Sequence, residues 1–173
     1  MSETLIAPAW RPMRAADLDA VLALADRLFP DHYEAPERFG ERLRLSPATC
    51  FVLEGRAGAL GYLVSYPQRR GVIPPLDGAL GALPGDADML YIHDLAIATE
   101  AAGQGAARAI VETLAARARE AGHQGLALVA VNHSTPFWER QGFLPVAPDA
   151  AGQAKLQGYG DDACYMVRIL DRP

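Results

Sequence analysis

The succession strand, glycine turn, helix, strand between Met89 and Val131 constrains this chain more than any other feature. Met89 to Ala98, MLYIHDLAIA, is apolar apart from His93 and Asp94, as expected of a strand covered on both faces. Gly103 and Gly105 follow, and then Ala107, Ile110, Val111, Leu114, Ala118 and Ala121 form one helical stripe that Gly122 can stop. Arg108 and Glu112 lie outside that stripe at i,i+4, the spacing of a helix-surface ion pair. LALVAV, Leu126 to Val131, is the second buried strand. Two strands joined through a helix run parallel, with a right-handed crossover. The glycines therefore sit at the carboxyl end of the first strand, where the free N–H groups of a helix start can receive an anion. Gly-x-Gly recurs at Gly158 and Gly160 in a chain of 16 glycines, so the surroundings must decide what that anion is.

Before this unit, a short strand is expected near Ile6 to Trp10. Leu18, Val21, Leu22, Ala25, Leu28 and Phe29 then recur at helical spacing between Asp17 and Pro30. Pro36 to Leu45 reads as a second helix, with Phe39 and Leu43 at i,i+4 and Pro47 as its stop. TCFVLEGR and ALGYLVSY are rich in β-branched and aromatic residues and flank a turn at Ala57 and Gly58, which makes a hairpin. Pro67 to Ala87 holds four prolines and four glycines and reads as a long loop of the kind that is often functional. After the second buried strand, NHSTPFWERQGF offers a short helix capped at Ser134 or Thr135 and ended by Gly142. Two last strands, near Phe143 to Val146 and Ala163 to Leu170, flank a polar, glycine-containing loop.

Composition removes several classes of function. At 173 residues and 50% hydrophobic, the chain suits one compact domain. A formal net charge of -5 provides no global basic field for nucleic acid or an anionic membrane. Cys50 and Cys164 have neither disulfide-framework nor zinc-ligand spacing, so no metal is expected and a reducing cytoplasm fits. No apolar run approaches a membrane span, and MSETLIAPAWRP lacks the pattern of a secretory signal. No lysine follows the glycines as in a Walker loop, and no full GxGxxG follows the strand, which removes the nucleotide-binding readings.

LAIATEAAGQGAARAIVETL followed by LVAVNHSTPFWERQGF resembles the GCN5-related N-acetyltransferase (GNAT) family. In that family a strand leads into Arg/Gln-x-x-Gly-x-Gly/Ala at a helix start, and a later strand leads into Asn and a short aromatic helix ending Gly-Phe. The resemblance covers nearly the whole chain. It implies one α/β (mixed α+β) domain over residues 1–173, with a mostly antiparallel sheet of six to seven strands, one parallel pair and about four helices. It further implies acetyl coenzyme A as cosubstrate, its pyrophosphate received at Gly103, Gln104, Gly105, Ala106, Ala107 and Arg108. Its pantetheine arm would run along Leu95, Ala96 and Ile97, with contacts from Asn132, Ser134, Phe137 and Trp138. Two positions depart from the family pattern: Ala102 replaces the first Arg or Gln, and Trp138 stands where many relatives place an acidic Tyr, which an indole N–H cannot replace as a proton donor.

His93 is the candidate base that frees the acceptor amine, and the N–H of Leu95 is the candidate donor to the thioester oxygen. Against a role for His93 stands the reading of a half-buried, hydrogen-bonded histidine. In a regular strand Tyr91 shares the face of His93 and Asp94 points to the other. Trp138 also suits simple packing of its helix on the sheet, and Cys164 suits a plain buried thiol. Tyr159, Lys155 and the 67–87 loop are candidate walls of an acceptor pocket. The resulting expectation is transfer of an acetyl group to a primary amine of a small molecule or peptide, by direct attack in a ternary complex. A catalytically weak coenzyme A binding or sensing module is the alternative, and the resemblance also allows a homodimer.

Overall fold

The computed structural model describes residues 7–171. Among the described residues seven strands form one sheet in the order β1-β2-β3-β4-β5-β7-β6, and every neighbouring pair is antiparallel except β4 with β5. The strands are β1 (Ala9–Pro12), β2 (Phe51–Gly55), β3 (Gly58–Gln68), β4 (Met89–Ile97), β5 (Gly125–Ala130), β6 (Leu144–Pro145) and β7 (Cys164–Ile169). Of the first expected strand, Ile6 lies outside the described residues. The expected strand near Phe143 to Val146 shortens to two residues.

Helices α1 (Leu18–Leu28) and α2 (Pro36–Leu45) cover one sheet face, burying Val21, Leu24, Phe39 and Leu43 against Tyr62 and Val64. Helices α3 (Ala106–Glu120) and α4 (Thr135–Arg140) cover the other, where Ile110, Leu114, Trp138 and Phe143 meet Leu63, Leu90 and Leu128. Each such fully buried side chain contributes about 1.5–3 kcal/mol. Exposed ion pairs add about 0–1 kcal/mol, so the apolar stripes hold the helices in place. Glu112 accordingly shows no hydrogen bond to Arg108 on its own helix; it accepts one from Arg168 on β7 at 2.8 Å.

Two parts of the chain expected as plain loop are more ordered. α2 binds the 69–88 segment through Asp77, whose carboxylate accepts the Ala35 N–H at 2.7 Å, and through Glu41, which accepts the N–H groups of Leu80 and Gly81 at 3.0 and 2.8 Å. Between β6 and β7 a fifth helix, α5 (Ala150–Leu156), begins at Asp149, whose Oδ1 accepts the Gly152 N–H at 2.6 Å. AAGQAKL is too short and glycine-bearing to advertise a helix. Tertiary packing supplies what propensity lacks, because Leu156 is buried and Gly152 lies against the Gly71 carbonyl.

One irregularity in β4 positions everything that follows. Val64 of β3 faces Asp94, but the next residue, Ser65, faces Ile92, so His93 is an extra residue bulged out of the ladder. The bulge resets the alternation of side chains. Tyr91 and His93 share the α1/α2 face as expected, whereas Asp94 turns to that same face rather than the opposite one. Leu95 then falls on the α3/α4 face beside Leu63.

Candidate active site

The β4–β5 ladder runs from Met89 opposite Gly125 to Ile92 opposite Leu128 and stops there, although β4 continues to Ile97 and β5 to Ala130. The bulge at His93 falls immediately after the last pair, and the local twist it introduces carries β4 away with β3. A cleft of about 180 Å³ passes through the resulting gap. On the α3/α4 side it is lined by Leu95, Leu128, Ser134, Phe137 and Trp138, and on the α1/α2 side by Phe29, Glu34, Leu76, His93, Asp94 and Tyr159.

Backbone direction along β4 follows from one bond. The Ala98 N–H donates to Leu60 O at 2.7 Å, toward β3. Alternation turns the N–H and C=O of Leu95 and Ile97 the opposite way, into the gap left by β5. Ala96 is turned from the cleft on both counts: its side chain is buried under α1 and α2, and its carbonyl faces Gly61 of β3.

At the mouth of α3, Gly103 and Gly105 have φ of +75° and +79°, the left-handed region that a side chain makes costly. An added Cβ would meet nothing within 4 Å at either position, so conformation rather than crowding accounts for both glycines. The first bond of the helix ladder runs from the Ala109 N–H to Gly105 O at 3.0 Å, which leaves the N–H groups of Ala106, Ala107 and Arg108 ahead of it. Ala102, Gln104 and Arg108 are exposed around them. Trp10 of β1 fixes this start from across the fold, its indole N–H donating to Ala106 O at 2.9 Å.

Beyond β5, Asn132 and His133 both adopt left-handed backbone, φ +53° and +58°, unusual for residues with side chains. Asp162 holds this turn by accepting the His133 N–H, and Ser134 leads into α4 without a side-chain cap. Trp138 is 8% exposed and packs edge-on against Phe137 and Phe143. Its packing role is thus visible, while the cleft touches part of it.

The α1/α2 end of the cleft is charged. Glu34, in the loop between α1 and α2, accepts a hydrogen bond from His93 Nε2 and pairs with Arg42 Nη2 at 3.0 Å. His93 Nδ1 lies 3.2 Å from the Tyr66 hydroxyl, so in the tautomer protonated on Nε2 it accepts the Tyr66 proton and both ring nitrogens are engaged. Arg42, 1% exposed, also donates to Gly78 O at 3.3 Å and stacks over the Tyr66 ring. Burial penalises the charged form of Glu34, but the His93 hydrogen bond and the Arg42 charge outweigh it and hold this carboxyl below its ordinary range.

Asp94 behaves in the opposite sense. Burial, reinforced by the negative charge of Glu34, pushes its carboxyl up to about 6 against the pull of His93. No side-chain hydrogen bond ties it down among the described residues, and it faces the cleft. Glu34, His93 and Asp94 offer ligand atoms within 4.8 Å of one another, a spacing a divalent cation could use. In this arrangement Arg42 already supplies the positive charge next to Glu34.

The structure brings Leu95, Ser134, Phe137, Trp138, Asn132 and His93 to one cleft, with Tyr159 as a wall. Lys155 lines a separate hollow beneath the 67–84 segment. Glu34, Arg42, Tyr66 and Asp94 were not legible as a group in sequence. Glu34 is 59 positions from His93, in an irregular DHYE segment with no motif to mark it.

Residues 18–143 match the profile of the Acetyltransferase (GNAT) family. No curated protein matches the chain. Among solved structures the chain is similar to Ard1 from Thermoplasma volcanium, with a TM-score of 0.73 at 17% identity over 96% of this chain and 100% of that one. It is similar to Chaetomium thermophilum Naa20 in complex with a bisubstrate analogue, at 0.69 and 20% over 95% and 87% of the two chains. It also matches N-acetylglutamate synthase from Neisseria gonorrhoeae complexed with coenzyme A and N-acetyl-glutamate, at 0.71 and 17%, covering 99% of this chain and 36% of that one. At these identities the likenesses establish the fold.

Proposed function

The chain belongs to the acetyltransferase (GNAT) family, and from that premise we propose that it transfers an acetyl group from acetyl coenzyme A to a primary amine by direct attack in a ternary complex. The observation that carries the reading is the gap between β4 and β5, which leaves Leu95 on a cleft lined from both sheet faces and turns the backbone of Ile97 into the same gap. The pantetheine arm pairs with this stretch of β4 as an added strand, and Ala96, turned toward β3, does not take part. The pyrophosphate is received by the N–H groups from Gly103 to Arg108, where the dipole of a 15-residue helix provides positive potential. Coenzyme A in the N-acetylglutamate synthase structure supports this choice of cosubstrate.

The acceptor approaches from the α1/α2 side. Asp94 is the proton acceptor, because its carboxylate faces the cleft unbonded and its raised pKa makes it a better base than an ordinary aspartate. His93, with both nitrogens engaged, acts as a positioning residue that holds Glu34 and Tyr66 beside it. The free amine attacks the thioester carbonyl, a C–N bond forms, and the N–H of Leu95 donates to the oxyanion. Collapse breaks the C–S bond, and the proton released from the nitrogen balances the departing thiolate. Coenzyme A thiol is a good leaving group, so Trp138 need not act as an acid.

The test is calorimetric titration with acetyl-CoA against ATP and NAD controls, followed by amine-dependent thiol release. Micromolar binding confined to acetyl-CoA, about -8 kcal/mol, together with turnover of an amine supports the enzyme. Binding without turnover across a broad amine panel supports a coenzyme A sensor instead.

A further inference from the structure

Resting on the acetyl-transfer reading, we infer that the acceptor is a primary amine with an apolar body and no carboxylate beside the nitrogen. The acceptor end of the cleft carries two acidic groups, Glu34 and Asp94, and among the described residues no lysine or arginine lines it. The one cation of the neighbouring network, Arg42, is 1% exposed, committed to Glu34 and Gly78 O, and unreachable by a ligand in the cleft. The carboxylate of an α-amino acid would therefore meet no counter-charge and would sit beside the unbonded carboxylate of Asp94. Like charges at such separation in a partly buried site repel strongly. An ammonium group in the same place is attracted by Asp94 and can give its proton to it.

His32 also lines this end, but its Nε2 donates to Tyr159 O at 3.0 Å and its Nδ1 is buried, so the neutral ring has no N–H left for a carboxylate. The other walls on this side are apolar. Phe29 and Leu76 face the cleft with the ring of Tyr159, whose hydroxyl is turned away to donate to Pro74 O at 2.5 Å. Leu76 belongs to the segment that α2 holds through Asp77 and Glu41, so this wall is ordered before an acceptor arrives. The site thus selects by charge at the nitrogen and by apolar contact beyond it.

Phenethylamine, phenylalanine and phenylalaninamide separate these terms, since the first two differ by the carboxylate and the third replaces it with a neutral group of similar size. Thiol release from acetyl-CoA should favour phenethylamine over phenylalanine by about 100-fold or more in kcat/KM, with the amide close to phenethylamine. Asp94→Asn should shrink the ratio to about tenfold or less while lowering the rates of both. Equal turnover of phenylalanine and phenethylamine, rejection of the amide along with the acid, or a ratio unchanged in Asp94→Asn would each overturn the proposal while leaving acetyl transfer intact. If no amine releases thiol, the acetyl-transfer reading fails. Calorimetry on the coenzyme A-loaded protein then still decides: tighter binding of phenethylamine than of phenylalanine upholds the charge selection, and equal or absent binding ends it.

Discussion

The two ends of the cleft are built from different materials. On the α3/α4 side the cleft is lined mainly by aliphatic and aromatic side chains, and outside it the start of α3 presents backbone N–H groups, two glycines and the positive end of a helix dipole. At the α1/α2 end, five side chains from four segments, Glu34, Arg42, Tyr66, His93 and Asp94, form a buried polar cluster. The first depends on backbone conformation. The second can be retuned by single substitutions, because Glu34 is set by two neighbours, His93 and Arg42, and Asp94 by burial and the charges around it.

The sharpest test of that contrast removes a partner from the cluster. Glu34→Ala leaves Arg42 buried without its carboxylate and should cost about 3–5 kcal/mol in urea denaturation. Because the Glu34 carboxyl is depressed in the folded state, its contribution is present above its unfolded pKa and fades as pH falls through the folded value, so the deficit should narrow in acid. A loss below about 1 kcal/mol would mean the cluster is not the coupled unit described.

Asp94→Asn comes next. Turnover should fall about 10²–10³-fold, within the usual worth of a general base, while the acetyl-CoA Kd changes by less than about twofold. Wild-type kcat/KM should fall as pH drops through about 6, where Asp94 takes up its proton, and the variant should lack that limb. The same substitution should stabilise the fold. A carboxyl raised to about 6 favours the folded state in acid and loses that contribution as pH rises through about 6, so the variant should exceed wild type by about 2 kcal/mol near pH 8 and match it near pH 4. Equal stability at both pH values would show that Asp94 is not desolvated.

At the other end the effects are smaller. Gly105→Ala places a side chain at φ +79°, a cost of about 1–2 kcal/mol, and should weaken acetyl-CoA binding about tenfold by calorimetry while leaving the acceptor KM alone. A change in acceptor KM instead would show that the two ends are not separable. Smallest of all, Trp10→Phe removes the bond to Ala106 O and should lower stability by about 1 kcal/mol, with a correspondingly slight loss of coenzyme affinity.

Legibility divides along the same line. The glycine turn, the βαβ unit and the apolar stripe of α3 could be read because each depends on residues close in sequence and on a period of 2.0 or 3.6. Helix α5 could not, since its stability comes from contacts with the Gly71 region rather than from its own residues. Asp94 was misplaced for a related reason. Alternation in a strand is a local rule, and a bulge at His93, imposed by pairing with β3, reversed its phase for every residue beyond.

The sequence by itself therefore determined the family, the sheet with its parallel pair, and the glycine turn that opens α3, all features that short-range pattern and backbone chemistry encode. Only the tertiary structure decided the acceptor end. Glu34 reaches His93 from the loop between α1 and α2, Arg42 meets Glu34 from α2, and the direction of Asp94 depends on how two strands pair. Side-chain electrostatics at that range is set by burial and by neighbours distant in the chain, and neither is written in any local stretch of residues.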